Sequence, residues 1–287
     1  MWPSTRSPVE SQTTQTDAST TDTDYLEKID GFVLQEFDQK NRLSYQVESE
    51  QYLHVKDQPA LLLKPRVTTY DQNAKVDYVL TSERAHYLDN SAIRFQDKVR
   101  LHTADGSVHH IKTEELLVDV NTNDLISQQP VTYLGQGVNT LSQGMHMRTK
   151  DDQLTLTGEA RLNQDSGPHL LTQDLQVDQS GDQQRYYSKH QTQYVSEQTR
   201  IDAEGLDMDT QTQQLQLLGN SVITQASGSV IQTKNLQVDQ SGDQEVYTTK
   251  DKINYQSEIA DIKAQQMHYD AKAQKIQLKG GVVGHYE

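Results

Sequence analysis

From Tyr25 onward the chain alternates apolar and polar residues over short runs. In GFVLQEF (31–37), Phe32, Leu34 and Glu36 alternate with Val33, Gln35 and Phe37. A polar DQKN turn follows, and then Leu43, Tyr45 and Val47 fall on alternate positions. Two period-two runs around a short polar turn predict a β-hairpin. The same signal recurs downstream. IRFQDKVRL places Ile93, Phe95, Val99 and Leu101 on one face, and LTLTGEARL does so with Leu154, Leu156, Ala160 and Leu162. LQLLGNSVI gives Leu215, Leu217 and Ile223, and IQLKGGVVG gives Ile276, Leu278 and Val282. These four runs begin at 93, 154, 215 and 276, a constant step of 61. Their fifth residue is Gly158, Gly219 or Gly280, with Asp97 in the first copy.

A second signature accompanies each run. KTEELLVD (112–119), TQDLQVD (172–178) and TKNLQVD (233–239) set Leu116 with Val118 and Leu175 with Val177 on alternate positions. The last two open into an identical nine-residue stretch, Leu175–Gln183 and Leu236–Gln244. A third signature is IDAEGLDMD (201–209) and IKAQQMHYD (262–270). One 61-residue unit therefore holds about four strands. A unit of this kind cannot bury its apolar face alone; stacked units with two facing sheets build a continuous apolar interior. The glycines mark places where a strand bends or another backbone comes close. Helical periodicity is hard to find, so the fold class is all-β.

Composition narrows the picture. Only 33% of 287 residues are hydrophobic and 6% aromatic, too lean for a large globular core and suited to a thin sheet-on-sheet body. The net charge of −15 opposes nucleic acid and anionic membrane surfaces. There is no cysteine, which excludes disulfides and thiolate chemistry. No run is long enough for a membrane-spanning helix. The start, MWPSTRSPVE, lacks the regions of a signal peptide, so any targeting segment or anchor is expected outside this chain. Residues 1–24 read as a disordered polar tail.

No catalytic motif appears, and no enzyme activity is expected. The DQSGD turns lack calcium-loop spacing. His109 and His110, being adjacent, point to opposite faces of a strand and chelate poorly. Neither metal nor cofactor is expected. The chemistry on offer is the aliphatic stripe: Ile93, Phe95, Val99, Leu116, Val118, Leu154, Leu156, Leu175, Val177, Leu215, Leu217, Ile276 and Leu278. Each residue alone reads as ordinary core. The stripe together, poor in aromatics, reads as a groove for flexible chains, each buried CH₂ contributing about 0.8 kcal/mol.

Three stretches resemble the LptC family of lipopolysaccharide export: GFVLQEFDQKNRLSYQVESEQYLHV (31–55), PRVTTYDQNAKVDYVLTSERAHYLDN (65–90) and PVTYLGQGVNTLSQGMHMRTKDDQLTLTGEARL (130–162). From about residue 172 the chain is similar to LptA/OstA repeats, as in AQQMHYDAKAQKIQLKGGVV (264–283). The resemblance implies an elongated open β-jellyroll, LptC-like over 25–165 and LptA/OstA-like over 166–287. It implies a periplasmic bridge component whose groove holds the acyl chains of lipid A. Lipopolysaccharide would arrive from the inner-membrane ABC transporter (LptB2FG) and pass to LptA or another jellyroll by edge-strand addition. An open jellyroll leaves unpaired backbone at both ends, and the partner edges are expected at Phe32, Leu34, Val282 and Val283, with Gly144 shaping the edge. An LptC usually carries a membrane helix and ends near the position of Leu162; this chain departs on both counts. The alternative is a structural spacer or adhesin stalk with a dry core and no lipid.

Overall fold

A computed structural model describes residues 25–286 apart from 39, 89–91, 104–109, 120, 123, 136, 150–152, 179–183, 198 and 243–244. The expected tail, His109 and most of the first DQSGD turn lie outside the described residues. The described chain is all strand and turn, with no helix.

The strands are β1 (Tyr25–Phe37), β2 (Leu43–Val55), β3 (Ala60–Leu63), β4 (Arg66–Tyr70), β5 (Val76–Thr81), β6 (Arg84–Leu88), β7 (Ala92–Thr103) and β8 (His110–Asp119). They continue as β9 (Asp124–Ser127), β10 (Val131–Gly135), β11 (Val138–Arg148), β12 (Gln153–Gln164), β13 (His169–Asp178), β14 (Arg185–Ser188), β15 (Thr192–Val195) and β16 (Thr199–Asp209). The last are β17 (Gln214–Gln225), β18 (Val230–Asp239), β19 (Val246–Thr249), β20 (Ile253–Gln256), β21 (Ala260–Ala264), β22 (Gln266–Asp270), β23 (Lys275–Lys279) and β24 (Val283–Tyr286).

All pairings are antiparallel and follow chain order, so the sheet is one long meander. Short strands come in collinear couples. β9 and β10 together span the width of β8 on one side and of β11 on the other. β14 with β15 and β19 with β20 do the same further along. From β2 onward every passage is interrupted at mid-length, by a gap between coupled strands or by a register shift. The shifts in β7/β8, β12/β13 and β17/β18 fall at Gln96/Val99, Leu156/Glu159 and Leu217/Asn220. The interruptions line up into a crease across the strands. It divides each passage between a first limb (β4, β5, β10, β15, β20) and a second limb (β3, β6, β9, β14, β19). Folding along the crease turns one sheet into the two facing layers of an elongated open jellyroll.

The sequence dictates the crease in two ways. Gly158, Gly219 and Gly280 take φ of +73°, +69° and +78°, which an L side chain adopts at a cost. Asp97, the residue in the first copy, adopts φ 65°; Asp tolerates this region better than most side chains. On the outer side, Asp174 Oδ1 accepts the Gly158 N–H at 2.8 Å and Asn235 Oδ1 the Gly219 N–H at 3.1 Å. On the inner side, small hydroxyls satisfy carbonyls that the bend removes from the ladder. Ser49 Oγ donates toward Leu63 O (2.8 Å), Ser188 toward Gln173 O (2.8 Å) and Thr249 toward Lys234 O (2.9 Å). Thr113 donates toward Pro130 O and Thr233 toward Lys252 O. These hydroxyl residues are all buried. Left unpaired there, a backbone carbonyl costs about 1–3 kcal/mol.

The expected division between residues 165 and 166 falls in a tight turn between paired strands. Gln164 N–H bonds Pro168 O, and Asn163 faces His169 in register. The ladder is continuous there.

At Gly219 a Cβ would lie 2.1 Å from Glu204 Oε2. Gly219→Val is expected to cost about 1–3 kcal/mol from backbone strain alone, read as a lower urea midpoint. Asp97→Gly is expected to stay within about 1 kcal/mol of the parent, because it removes only an exposed pair with Arg84. Equal effects at the two positions would refute the crease as the origin of this glycine pattern.

Candidate functional site

The aliphatic stripe lies where alternation placed it, on the inner faces of both limbs. Phe95, Val99, Leu116, Leu154, Leu156, Leu175, Val177, Leu215 and Leu217 are buried in one core cluster. Ile93, Val118, Ile276 and Leu278 pack against that cluster and stay half-buried. Cross-strand register explains the grouping: Phe95 faces Leu116, Leu156 faces Leu175, and Leu217 faces Leu236.

Burial is uneven along the body. The half-buried apolar residues on the core are Phe32, Tyr45, Tyr52, Val67, Tyr78, Ile93 and Val118 towards one end, and Tyr255, Ala271, Ile276 and Leu278 towards the other. Among the described residues none lies between Val118 and Tyr255. At the N-terminal end Phe32 stacks on Tyr52 with centroids 5.1 Å apart. The interior thus has a partly open apolar bay at each end and a sealed middle, where Leu156, Leu175, Leu206 and Leu217 show no exposure.

The middle is sealed by residues that sequence reasoning overlooked. Tyr133, Tyr186, Tyr194 and Tyr247 are among the largest fully buried side chains. Tyr133 of the first limb meets Tyr186 of the second edge-to-face at 6.4 Å, and Tyr194 meets Tyr247 at 6.5 Å. Tyr247 also stacks on Tyr269. A polar residue at the tip of the second limb ties each pair. Gln184 Nε2 donates to Tyr133 Oη at 3.2 Å, and Tyr186 Oη donates to Gln184 Oε1 at 3.1 Å. Tyr194 Oη donates to Glu245 Oε1 at 2.7 Å, and Tyr247 Oη donates to Glu245 Oε2. Beside the second pair, Gln164 and Gln240 exchange amide hydrogen bonds at 3.0 and 3.1 Å, and Gln240 donates to Tyr194 Oη. Gly135 makes room for the first pair: a Cβ there would lie 2.3 Å from Tyr186 Oη. The signal was present in the sequence, since 133/194, 184/245 and 186/247 are each 61 apart.

The family model described as lipopolysaccharide-assembly, LptC-related, matches residues 2–165 and 185–287. The chain belongs to the LptC family. No curated protein matches it. Membership makes this a lipopolysaccharide-transport protein, of a family that is periplasmic and inner-membrane associated in general and known for transport and binding rather than catalysis. Among the described residues, no helix is long and apolar enough to cross a membrane, and no group of three or more His, Asp or Glu is arranged for a metal.

The expected edge residues divide between the two ends of the described sheet and its interior. Among the described residues β1 pairs only with β2, and carries half-buried Phe32 and exposed Leu34 and Val33. At the other end, among the described residues, β23 pairs only with β22 and β24 only with β21; Val282 and Val283 are exposed, the latter at 68%. Gly144 is elsewhere. It lies inside β11, which is paired on both sides, and its missing Cβ leaves room for Ser127 O at the crease, 2.6 Å from where a Cβ would sit. A close backbone approach at the bend, not an edge, explains this glycine.

Burial drives the Tyr186, Tyr194 and Tyr247 hydroxyls well above their ordinary value of 10.0, with the neighbouring Tyr and Glu245 adding to the shift. A raised folded-state pKa stabilises below the unfolded value and that stability is lost as pH rises above it. Stability is therefore expected to fall steeply above pH 10, and Tyr194→Phe with Tyr247→Phe should flatten that fall while costing about 1–3 kcal/mol at neutral pH. Alkaline unfolding profiles of equal slope would refute the assignment.

Proposed function

We propose that this LptC-family protein carries lipopolysaccharide as a bridge segment, receiving it from the inner-membrane ABC transporter and relaying it outward with the lipid A acyl chains in the apolar interior. The observation that carries the reading is the aliphatic inner face common to every passage of the meander, accessible at both ends. Apolar contact is non-directional, so it holds acyl chains without fixing their position along the body, which a relay requires. Exchanging protein–protein apolar contact for protein–lipid contact leaves the transfer free energy nearly unchanged. The chain's acidity leaves the interior, not the surface, as the source of affinity.

The two free edges support the rest of the reading. β1 offers one row of unpaired backbone groups to the transporter side, and β23 with β24 offers another to LptA or a similar jellyroll. Strand addition at either end extends both limbs at once, because each edge crosses the crease: Gly31 (φ +66°) lies within β1, and Gly280 and Gly281 lie between β23 and β24. Residues 25–165 form the LptC-like part and 166–287 the LptA/OstA-like extension, which lengthens the bridge without changing its cross-section.

The sealed middle favours a second reading for that part alone, a rigid spacer between the bays. A photoreactive residue at Tyr52 or Ile93, half-buried in the N-terminal bay, is expected to label lipopolysaccharide several-fold above a control at Lys98, which sits on the outer side of the crease. Equal labelling at all three positions would sink the carrier reading and leave the spacer.

A further inference from the structure

The two tyrosine pairs raise a question that the relay alone does not answer: how a lipid passes a middle where, among the described residues, no apolar residue of the core is half-open. We infer that Gln184 and Glu245 are the residues that decide where along the interior a lipid can lie, each holding a clasp that shuts the mouth between the limbs. The inference rests on the proposed carrier role.

Three observations carry it. First, each clasp joins elements that are not neighbours in the sheet. Tyr133 is on β10 and Gln184 precedes β14; Tyr194 is on β15 and Glu245 precedes β19. Their hydrogen bonds therefore cross the interior and oppose separation of the limbs. Second, the two clasps are copies, 61 residues apart at all three positions, so the repeat that sets the strands also sets the lock. This assigns a purpose to the duplicated LQVDQSGDQ segment: the residue after each copy is the clasp residue, Gln184 or Glu245. Third, the lock stops where the burial changes. Sixty-one residues before the first clasp stand Gln72, Asn123 and Leu125, with no tyrosine among them. On that side the inner-face residues Tyr52, Tyr78 and Ile93 are half-buried, whereas Leu206 and Met208 behind the clasps are buried.

The clasps are built to open. Hydrogen bonds across a mouth can exchange for water at modest net cost, while the crease hydroxyls on the opposite side stay paired and act as the hinge. The second clasp holds a carboxylate where the first has an amide, so the two differ in strength: Glu245 accepts from two tyrosines at once, and charge-assisted bonds are the stronger kind.

The test places a photoreactive residue at Met208, behind the clasps, and separately at Tyr52, in the N-terminal bay. Each goes into the parent chain and into Tyr133→Phe/Tyr186→Phe/Tyr194→Phe/Tyr247→Phe, which keeps the rings and removes the clasp hydroxyls. With purified lipopolysaccharide, the parent is expected to label at 52 and at least fivefold less at 208. The clasp-free chain is expected to label at 208 to within twofold of 52, and its β15 and β19 amides to exchange hydrogen at least tenfold faster without lipid. Parent labelling that is equal at 208 and 52, or amide exchange unchanged by the substitutions, overturns the clasps. Faster exchange with no lipid label at any position keeps the clasps and overturns the carrier role instead. Should the fourfold change fail to fold, Tyr194→Phe alone carries the same comparison, with at least a threefold gain at 208 expected and none overturning it.

Discussion

The structure depends on how a continuous antiparallel sheet bends through its own middle without leaving backbone groups unpaired. A flat meander of this length would expose one apolar face along its whole extent. Folding it once, across the strands, buries that face against itself. From β2 onward the bend breaks the ladder, and the breaks release N–H and carbonyl groups into a water-poor crease. Left-handed Gly158, Gly219 and Gly280 make the turn possible. Buried hydroxyls such as Ser49, Ser188 and Thr249 take up the released carbonyls. Asp174 and Asn235 take up the glycine N–H groups from outside.

From that constraint the interior follows. Once the limbs face each other, the alternating residues of each become one core, and the width of the gap is set at the mouth opposite the crease. Where Tyr133–Tyr186 and Tyr194–Tyr247 span the gap, the core is sealed. Towards the ends the same aliphatic lining is half-open. Burial is thus graded along one architecture, with half-open apolar bays at the ends, a sealed middle, and strand edges beyond.

Much of this was legible in the residues. The period of two gave the strands, the step of 61 gave the repeat, and the inward set from Phe95 to Leu217 is the core cluster. The glycine at the fifth position marked the bend. What was not legible concerned contacts between distant rows. Ser and Thr at inner positions, such as Thr172 and Thr233, look in sequence like solvent-facing strand residues; only the register shift beside them turns them inward. Low aromatic content argued for a loose interior, yet a few tyrosines at repeat spacing suffice to close its middle, because each reaches across from one limb to the other. Gly144 suggested an edge through the resemblance to the family; its role, a close approach to Ser127 O, depends on a neighbour seventeen residues upstream in a different passage.

The central claim is that acyl chains enter this folded meander where its limbs are unclasped. Hydrogen–deuterium exchange along the whole chain, with and without lipopolysaccharide, tests it most directly. The account predicts slowed exchange in β2 and β4 to β7, around the N-terminal bay, with little change in the already sealed β12, β13 and β17. Protection confined to the outer turns, or none anywhere at saturating lipid, would contradict it.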